Sequence, residues 1–475
     1  MASIQTLPLE IRSAIFQFTL GQLPLRSRTV KLLAQYRAHI HTLTTLSLVC
    51  KEWRSTVLSD GTLWTTLPVD TSRTDCQQST TTVLERSKQA MLDVSIVCDD
   101  EVDSINEAFF SEISKNMHRI RTLHLDTTFP ETLCSLSTPA PKLEMLRILT
   151  AEQPMELGFL FGGKLPALRS LVLAGISSWP PGLFSNLKDL RLILSSSHPT
   201  VRVSSLIDIV SRSPNIEQIK ISAFLSMVDD SPPSSLVRLP NLQKFTMRDC
   251  DSATVLSHTI VPATADVKVV MDHSTMRTTM HIPSQNLHIL SSVPEDISTM
   301  GFLTESTVLV IQQDHKVGFG IGFYRSHSSQ PSLRVLDRSA SIDSFARRSI
   351  DVLASRSHHF KNIKELSFVL SAGITVPWPM LLRGFKQLEQ LSMIASYAPS
   401  ILYTLLAVWE DGHPICPALK QLNIYERDGD KSIFLDRDDM ARFVTARKTL
   451  DCAAAEVIIR GPEGKIVWEC GSSGD

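Results

Sequence analysis

Few side chains in this sequence are spaced to support catalysis or to hold a metal ion. His39-x-His41 and His358-His359 each offer two imidazoles, but neither pair has a cysteine or carboxylate set nearby to complete a zinc site. The eight cysteines are scattered without a C-x-x-C pair, and no G-x-S-x-G nucleophile motif is present. We therefore predict no metal site, no cofactor and no catalytic centre.

Two glycine-rich segments resemble phosphate-binding loops only superficially. Gly318-x-Gly320-x-Gly322 lacks the G-x-G-x-x-G spacing and opens no evident helix, so we interpret it as a strand or bulge. Phe161-Gly162-Gly163-Lys164 lacks the earlier glycine and the following Ser or Thr of a P-loop, which favours an ordinary loop.

Composition limits the kind of partner and compartment. Of the 475 residues 43% are apolar, enough to bury a substantial core, and 47 Lys and Arg residues nearly balance 49 Asp and Glu residues. No overall charge therefore attracts nucleic acid or an acidic membrane. The sequence contains no run of about 18 apolar residues and no secretory signal at its start. Cysteines without a disulfide framework indicate a reducing compartment, so we expect a cytoplasmic and/or nuclear location.

Two helices are predicted in the first 64 residues. Pro8 suits the first position of a helix, and an apolar stripe follows it at helical spacing, formed by Ile11, Ala14, Ile15 and Phe18. Gly21 and Pro24 end this helix. A second helix is predicted over Thr44–Leu58, with one face formed by Leu46, Val49, Cys50, Trp53 and Val57. A turn at Asp60-Gly61 then returns Leu63-Trp64 toward the helices.

The connection over residues 21–43 is basic. It contains no acidic residue, and its charges are Arg26, Arg28, Lys31 and Arg37. An extra amphipathic helix is predicted from the spacing of Leu32, Leu33, Tyr36 and Ile40. Its basic side either faces water or contacts an acidic partner.

Beyond residue 80 one phrase recurs: apolar, two residues, apolar, one residue, apolar. The copies begin at Ile120, Leu143, Leu168, Leu187, Ile216, Leu242, Ile363, Leu388 and Leu419. The last two apolar residues of each copy are two apart and share one face of a short strand. The first six copies begin 19 to 29 residues apart, and the last three begin 25 and 31 residues apart. Such spacing is typical of leucine-rich repeats stacked into a solenoid.

Residues 251–362 fit the phrase less well. We interpret Val267-x-Val269 and Leu333-x-x-Leu336 as degenerate copies, and Thr307–Ile311 and Gly318–Tyr324 as strands of a β-rich insertion. Near the C-terminus a helix is predicted over Asp438–Lys448. Val457–Arg460 and Lys465–Trp468 predict a hairpin that closes the sheet edge.

These patterns predict an α/β chain with an N-terminal helical module, an irregular leucine-rich-repeat solenoid with a parallel sheet, and a closing helix and hairpin. We assign residues 1–70 to the helical module and 71–110 to a linker or N-terminal cap of the array. Residues 111–250 form the first array, 251–362 the degenerate repeats with a β-rich insertion, and 363–475 further repeats and the C-terminal cap.

Three segments resemble the F-box: LPLEIRSAIF at 7–16, LSLVCKEWR at 46–54 and LW at 63–64. The whole layout is similar to a large fungal group of F-box proteins with irregular leucine-rich repeats. The resemblance implies a short helical bundle that docks on a Skp-type adaptor, and through it on a cullin and a RING subunit. On the family pattern the adaptor-binding residues are Leu7, Pro8, Ile11, Ile15, Leu48, Val49, Trp53 and Trp64, although Trp53 and Trp64 can instead serve the module's own core.

The function implied is that of a substrate-recognition subunit of a Skp–cullin–F-box ubiquitin ligase, in which the solenoid holds an unknown target protein. The chain itself has no RING-like cysteine pattern, and we do not expect it to be an enzyme. Two alternatives stay open: a non-ligase F-box scaffold, and a ligand-binding or hydrolytic solenoid whose first helices merely cap the array.

Overall fold

The computed structural model of the chain describes residues 7–20, 29–73, 75–98, 106–127, 133, 136–150, 155–158, 160–194, 202–223, 236–248, 252–271, 300–314, 318–325, 333–337, 342–370, 374–408, 412–426, 437–450, 452, 456–461 and 466–470. The chain divides into two compact units, Met1–Ile216 and Glu217–Asp475. Both are mixed α/β, and in both most strands of the main sheet are parallel.

The first unit begins with three helices: α1 (Leu9–Leu20), α2 (Thr29–Ser47) and α3 (Lys51–Ser59). The predicted first helix is confirmed, while Gly21 and Pro24, predicted to end it, lie outside the described residues. The prediction of one helix over Thr44–Leu58 is wrong. The chain breaks there because Cys50 is extended and its Sγ accepts a hydrogen bond from the Trp53 N–H at 3.4 Å, capping α3.

The amphipathic helix predicted within residues 21–43 is confirmed as most of α2. It is a core element, because Leu33, Tyr36 and Leu43 are buried. Arg37 forms an ion pair with Asp70 of the first strand, whereas Arg26 and Arg28 lie outside the described residues. The helix packs against the first two strands of the sheet.

The sheet of the first unit continues from these helices. Its strands and the two short strands beside them are β1 (Thr66–Asp70), β2 (Leu92–Val97), β3 (Ile120–Asp126), β4 (Met145–Leu149), β5 (Met155–Glu156), β6 (Ser170–Ala174), β7 (Ile176–Ser178) and β8 (Asp189–Leu194). The order β1-β2-β3-β4-β6-β8 is parallel throughout, and β5 pairs with β7. The helices between strands are α4 (Cys76–Arg86), α5 (Asn106–Lys115) and α6 (Val203–Ser211).

The recurring phrase determines the register of this sheet. One row of directly opposed residues runs across it, formed by Leu67, Val94, Leu123, Leu146, Leu171 and Leu190. Every member is at most 1% exposed. Since burying such a side chain stabilises the fold by about 1.5–3 kcal/mol, the row aligns each strand with its neighbour.

The second unit contains the remaining elements. Its strands are β9 (Gln218–Ala223), β10 (Val237–Arg238), β11 (Lys244–Arg248), β12 (Thr259–Ile260), β13 (Asp266–Met271), β14 (Val308–Asp314), β15 (Gly318–Tyr324), β16 (Leu333–Asp337), β17 (Glu365–Val369), β18 (Gln390–Ile394), β19 (Gln421–Tyr425), β20 (Glu456–Arg460) and β21 (Ile466–Cys470). Its helices are α7 (Ser252–Ser257), α8 (Gly301–Thr304), α9 (Ile342–Ser355), α10 (Trp378–Leu382), α11 (Ala398–Leu405) and α12 (Arg437–Thr449). The helix predicted over Asp438–Lys448 and the C-terminal hairpin are therefore confirmed, as α12 and as the antiparallel pair β20–β21.

A hairpin interrupts the parallel order of the second unit. The sequence of neighbours is β9-β11-β13-β16-β15-β14-β17-β18-β19-β20-β21, so the antiparallel pair β14–β15 lies between β16 and β17. The predicted strands of the insertion are confirmed, including the glycine-rich one, β15. The predicted copy Leu333-x-x-Leu336 is misaligned. Leu333 and Val335 are the residues that oppose Val267 and Val269 of β13, and Leu336 lies one position beyond this apolar pair.

A buried arginine holds the end of the second unit together. Arg447 of α12 is fully buried, and its guanidinium donates to the carbonyl oxygens of Leu405, Ile415 and Cys416 at 3.1, 3.1 and 2.7 Å. These carbonyls belong to the end of α11 and to the segment before β19. The guanidinium thus joins three parts of the chain that are distant in sequence.

Replacing Arg447 with methionine should leave the buried carbonyl oxygens of Leu405 and Ile415 without their arginine donor, whereas Cys416 O keeps the Leu419 N–H at 3.1 Å. We expect the free energy of unfolding to fall by about 2–4 kcal/mol, measured by urea denaturation. Lys448→Met, at an exposed position of the same helix, is the matched control and should change it by less than about 0.5 kcal/mol. Equal effects of the two variants would contradict this role of Arg447.

His124 of β3 makes stability depend on pH. Its side chain is 1% exposed, and neither ring nitrogen has a hydrogen-bond partner among the described residues. Burial, aided by the charge of Arg147, lowers the pKa of His124 from 6.5 to about 4. The unfolded chain therefore takes up a proton on His124 before the folded chain does, and stability falls as pH decreases from 6.5 to 4.

His124→Leu should flatten this pH dependence. The wild-type free energy of unfolding should lose about 3 kcal/mol more than the variant's between pH 6.5 and pH 4. Urea denaturation of both proteins across this range measures the difference. Identical losses in the two proteins would show that His124 does not titrate in this way.

Candidate protein-docking surface

An apolar stripe on α1 is exposed among the described residues. Ile11, Ile15 and Phe18 lie on one side of the helix at i, i+4 and i+7, and they are 48%, 36% and 90% exposed. Ser13 and Phe16, on the other side, are buried. The helix therefore uses its less apolar side for internal packing and leaves its aliphatic and aromatic stripe without a covering element among the described residues.

Specific contacts fix this orientation of α1. The Phe16 ring packs on the Trp53 ring of α3 with centroids 5.0 Å apart, and Gln17 Nε2 donates to Thr62 Oγ1 at 2.9 Å. Burial would raise the pKa of Asp60, but hydrogen bonds from Ser13 and Thr62 outweigh it and hold that pKa below its ordinary value. Asp60 thus anchors α1 through Ser13.

The turn between α2 and α3 exposes two more aliphatic side chains. Leu48 and Val49 are 69% and 57% exposed. Their N–H groups donate to Thr45 O at 3.0 Å and Leu46 O at 3.3 Å, and Cys50 caps the following helix. The turn is therefore held by hydrogen bonds, and neither aliphatic side chain is needed to maintain it.

The remaining predicted site residues have mixed positions. Pro8 is exposed, and its carbonyl oxygen accepts the Arg12 N–H at 3.1 Å, which begins α1. Leu7 is half-buried, and Trp53 is half-buried against Phe16. Phe18 belongs to the predicted apolar stripe but is not one of the predicted site residues. Its position at i+7 from Ile11 was the signal that it belongs there.

Trp64 has an internal role. Its side chain is 2% exposed, its Nε1–H donates to Val57 O at 2.7 Å, and the Arg86 guanidinium lies 4.4 Å from the ring centroid. The assignment of Trp64 to the adaptor-binding surface is corrected on this ground, because its ring is already enclosed by the chain's own residues.

The sequence matches the F-box-like family over residues 4–68. This segment spans the apolar stripe of α1, the exposed turn, α3 and Trp64. Residues 4–68 form an F-box-like domain. A comparison with curated proteins finds no match to the chain.

Among the described residues, no helix is long and apolar enough to cross a membrane. Within the same ranges, no group of three or more His, Cys, Asp or Glu residues is placed to hold a metal ion.

The different exposures of Trp64 and Phe18 predict different effects on stability. Trp64→Phe removes the hydrogen bond to Val57 and weakens the contact with Arg86, so the free energy of unfolding should fall by about 1–3 kcal/mol. Phe18→Ser should change it by less than about 0.5 kcal/mol, because the ring is exposed. Urea denaturation compares the two variants. A larger loss from Phe18→Ser would contradict the exposed position of the Phe18 ring.

Proposed function

We propose that the chain is the substrate-recognition subunit of a Skp–cullin–F-box ubiquitin ligase. F-box domains generally bind Skp-type adaptors, and residues 4–68 are F-box-like. The observation that carries the proposal is the apolar stripe of Ile11, Ile15 and Phe18, exposed on a helix whose other side is packed. With the Leu48–Val49 turn, the stripe supplies the aliphatic and aromatic groups that form the centre of a protein interface.

The rest of the chain would hold the target protein. Parallel strands with aligned apolar rows support an irregular leucine-rich-repeat array in each unit. In this proposal the chain is not an enzyme. It raises the effective concentration of its target near the ubiquitin-loaded subunits, to which the adaptor, cullin and RING subunit connect it. We expect it to act in the cytoplasm and/or nucleus, on a protein target and not on nucleic acid.

Capture of the adaptor tests the proposal. A tagged full-length chain should retain a purified Skp-type adaptor, and Ile15→Asp combined with Leu48→Asp should weaken binding at least about hundredfold, because each buried carboxylate removes a hot-spot contact. Both residues are exposed in the free chain, so the double variant should unfold at the wild-type urea concentration.

Tyr403→Asp is the control for surface charge, because Tyr403 of α11 is 81% exposed and lies in the second unit. It should bind the adaptor like the wild type. Failure of the wild-type chain to retain the adaptor would contradict the proposal. Adaptor binding without recruitment of the cullin would favour the scaffold alternative instead.

A further inference from the structure

A cavity of about 450 Å³ lies between α2, β1 and α4 in the first unit. This volume is within the range of sites that bind small molecules. Its lining is separate from the exposed stripe of α1 and from the Leu48–Val49 turn. Of the predicted adaptor-binding residues it includes only the buried Trp64.

Three arginines line this cavity, and their situations differ. Arg37 forms an ion pair with Asp70, and Arg73 donates to both carboxylate oxygens of Asp75 at 2.9 Å. Arg86 lies over the Trp64 ring and has no carboxylate partner among the described residues. With three guanidinium groups and two carboxylates the lining carries a formal charge of +1, and the imidazole of His41 adds a further polar group.

We propose that this cavity binds a phosphate monoester. A carboxylate ligand is less suitable, because Asp70 and Asp75 already provide carboxylate partners for two of the three arginines. A phosphate monoester carries a charge of about −1.5 to −2 and three acceptor oxygens, so Arg86 and the remaining N–H groups of Arg37 and Arg73 can share it. Guanidinium groups suit this ligand because their fixed N–H fork pairs with two oxygens at once.

The cavity also has room for the group that bears the phosphate. Ile40, Pro68 and Val83 contribute apolar surface to the lining, and carbon atoms next to a phosphate ester can pack there. The same chemistry occurs on a phosphorylated side chain of a protein and on a free phosphorylated metabolite. The experiment below distinguishes these two sources.

The face of α4 that lines the cavity allows a matched pair of variants. Gln78, Ser79, Thr82, Val83 and Arg86 line it, whereas Thr81 does not. Ser79 and Thr81 are both exposed. Ser79→Glu therefore introduces a carboxylate into the lining, and Thr81→Glu adds the same charge to the same helix outside it. Neither change removes a buried side chain.

Titrations of the full-length chain, followed by ³¹P NMR, test the site with three probes: inorganic phosphate, O-phosphoserine and the peptide acetyl-Ala-phosphoserine-Ala-amide. We expect saturable binding of the phosphorylated probes with dissociation constants in the millimolar range or below. Ser79→Glu and Arg86→Gln should each weaken it at least about tenfold, since the first adds a negative charge to the lining and the second removes a positive one. Thr81→Glu, and Arg238→Gln at an exposed position of the second unit, should leave it unchanged.

Much tighter binding of the phosphopeptide than of O-phosphoserine identifies a phosphorylated protein segment, and equal binding identifies a small phosphorylated molecule. Both support a phosphate monoester site. Absence of saturable binding by the wild type would overturn it, as would equal binding by the Ser79→Glu and Thr81→Glu variants. Near-ultraviolet circular dichroism checks that Arg86→Gln retains the environment of Trp64. These measurements use no adaptor, so a negative result would not contradict the proposed ligase function, which the adaptor-capture experiment tests separately.

Discussion

The packing of α2 against β1 and β2 is the contact on which the first unit depends. Tyr36 of α2 is fully buried there, and burial, together with the charge of Asp93, raises the pKa of its hydroxyl. Asp93 of β2 is held in turn by Arg121 of β3, with oxygen–nitrogen distances of 2.7 and 3.2 Å. The same helix ends at the exposed Leu48–Val49 turn. The candidate docking surface and the first three strands therefore share one core. Packing also continues past residue 70, the predicted end of the helical module, because β1 pairs with β2 residue for residue.

Much of the sheet could be predicted from the sequence because its determinant is local. The phrase at Leu143 or Leu168 places two apolar residues on one face of a short strand, and the neighbouring strand repeats them in register. Where the apolar residues shift by one position, as at Leu333–Leu336, the pattern alone does not identify which two residues oppose the neighbouring strand. The partner strand decides the register there, and that information is not local.

Two features of the F-box-like domain could not be predicted from periodicity. The apolar spacing from Leu46 to Val57 continues through Cys50, so the break between α2 and α3 depends on the turn hydrogen bonds and the Cys50 cap, which periodicity does not reveal. Periodicity also does not say which side of α1 is covered. Ser13 lies on the packed side because it hydrogen-bonds Asp60, while Phe18, which is larger and more apolar, lies on the exposed side. Which residues are available to a partner is thus decided by contacts between elements.

The hairpin β14–β15 has a consequence for the order in which the chain folds. In the first unit, neighbouring strands of the main sheet also follow one another along the chain. This sheet can therefore grow strand by strand as the chain emerges during synthesis. In the second unit β13 ends at Met271, but its neighbour β16 begins at Leu333, about 60 residues later. At about 5–20 residues per second, the free edge of β13 stays open for several seconds and exposes its backbone N–H and C=O groups. Of the paired parallel strands that the structure describes, β13 and β16 are the farthest apart along the chain, so this edge waits longest for its neighbour during synthesis.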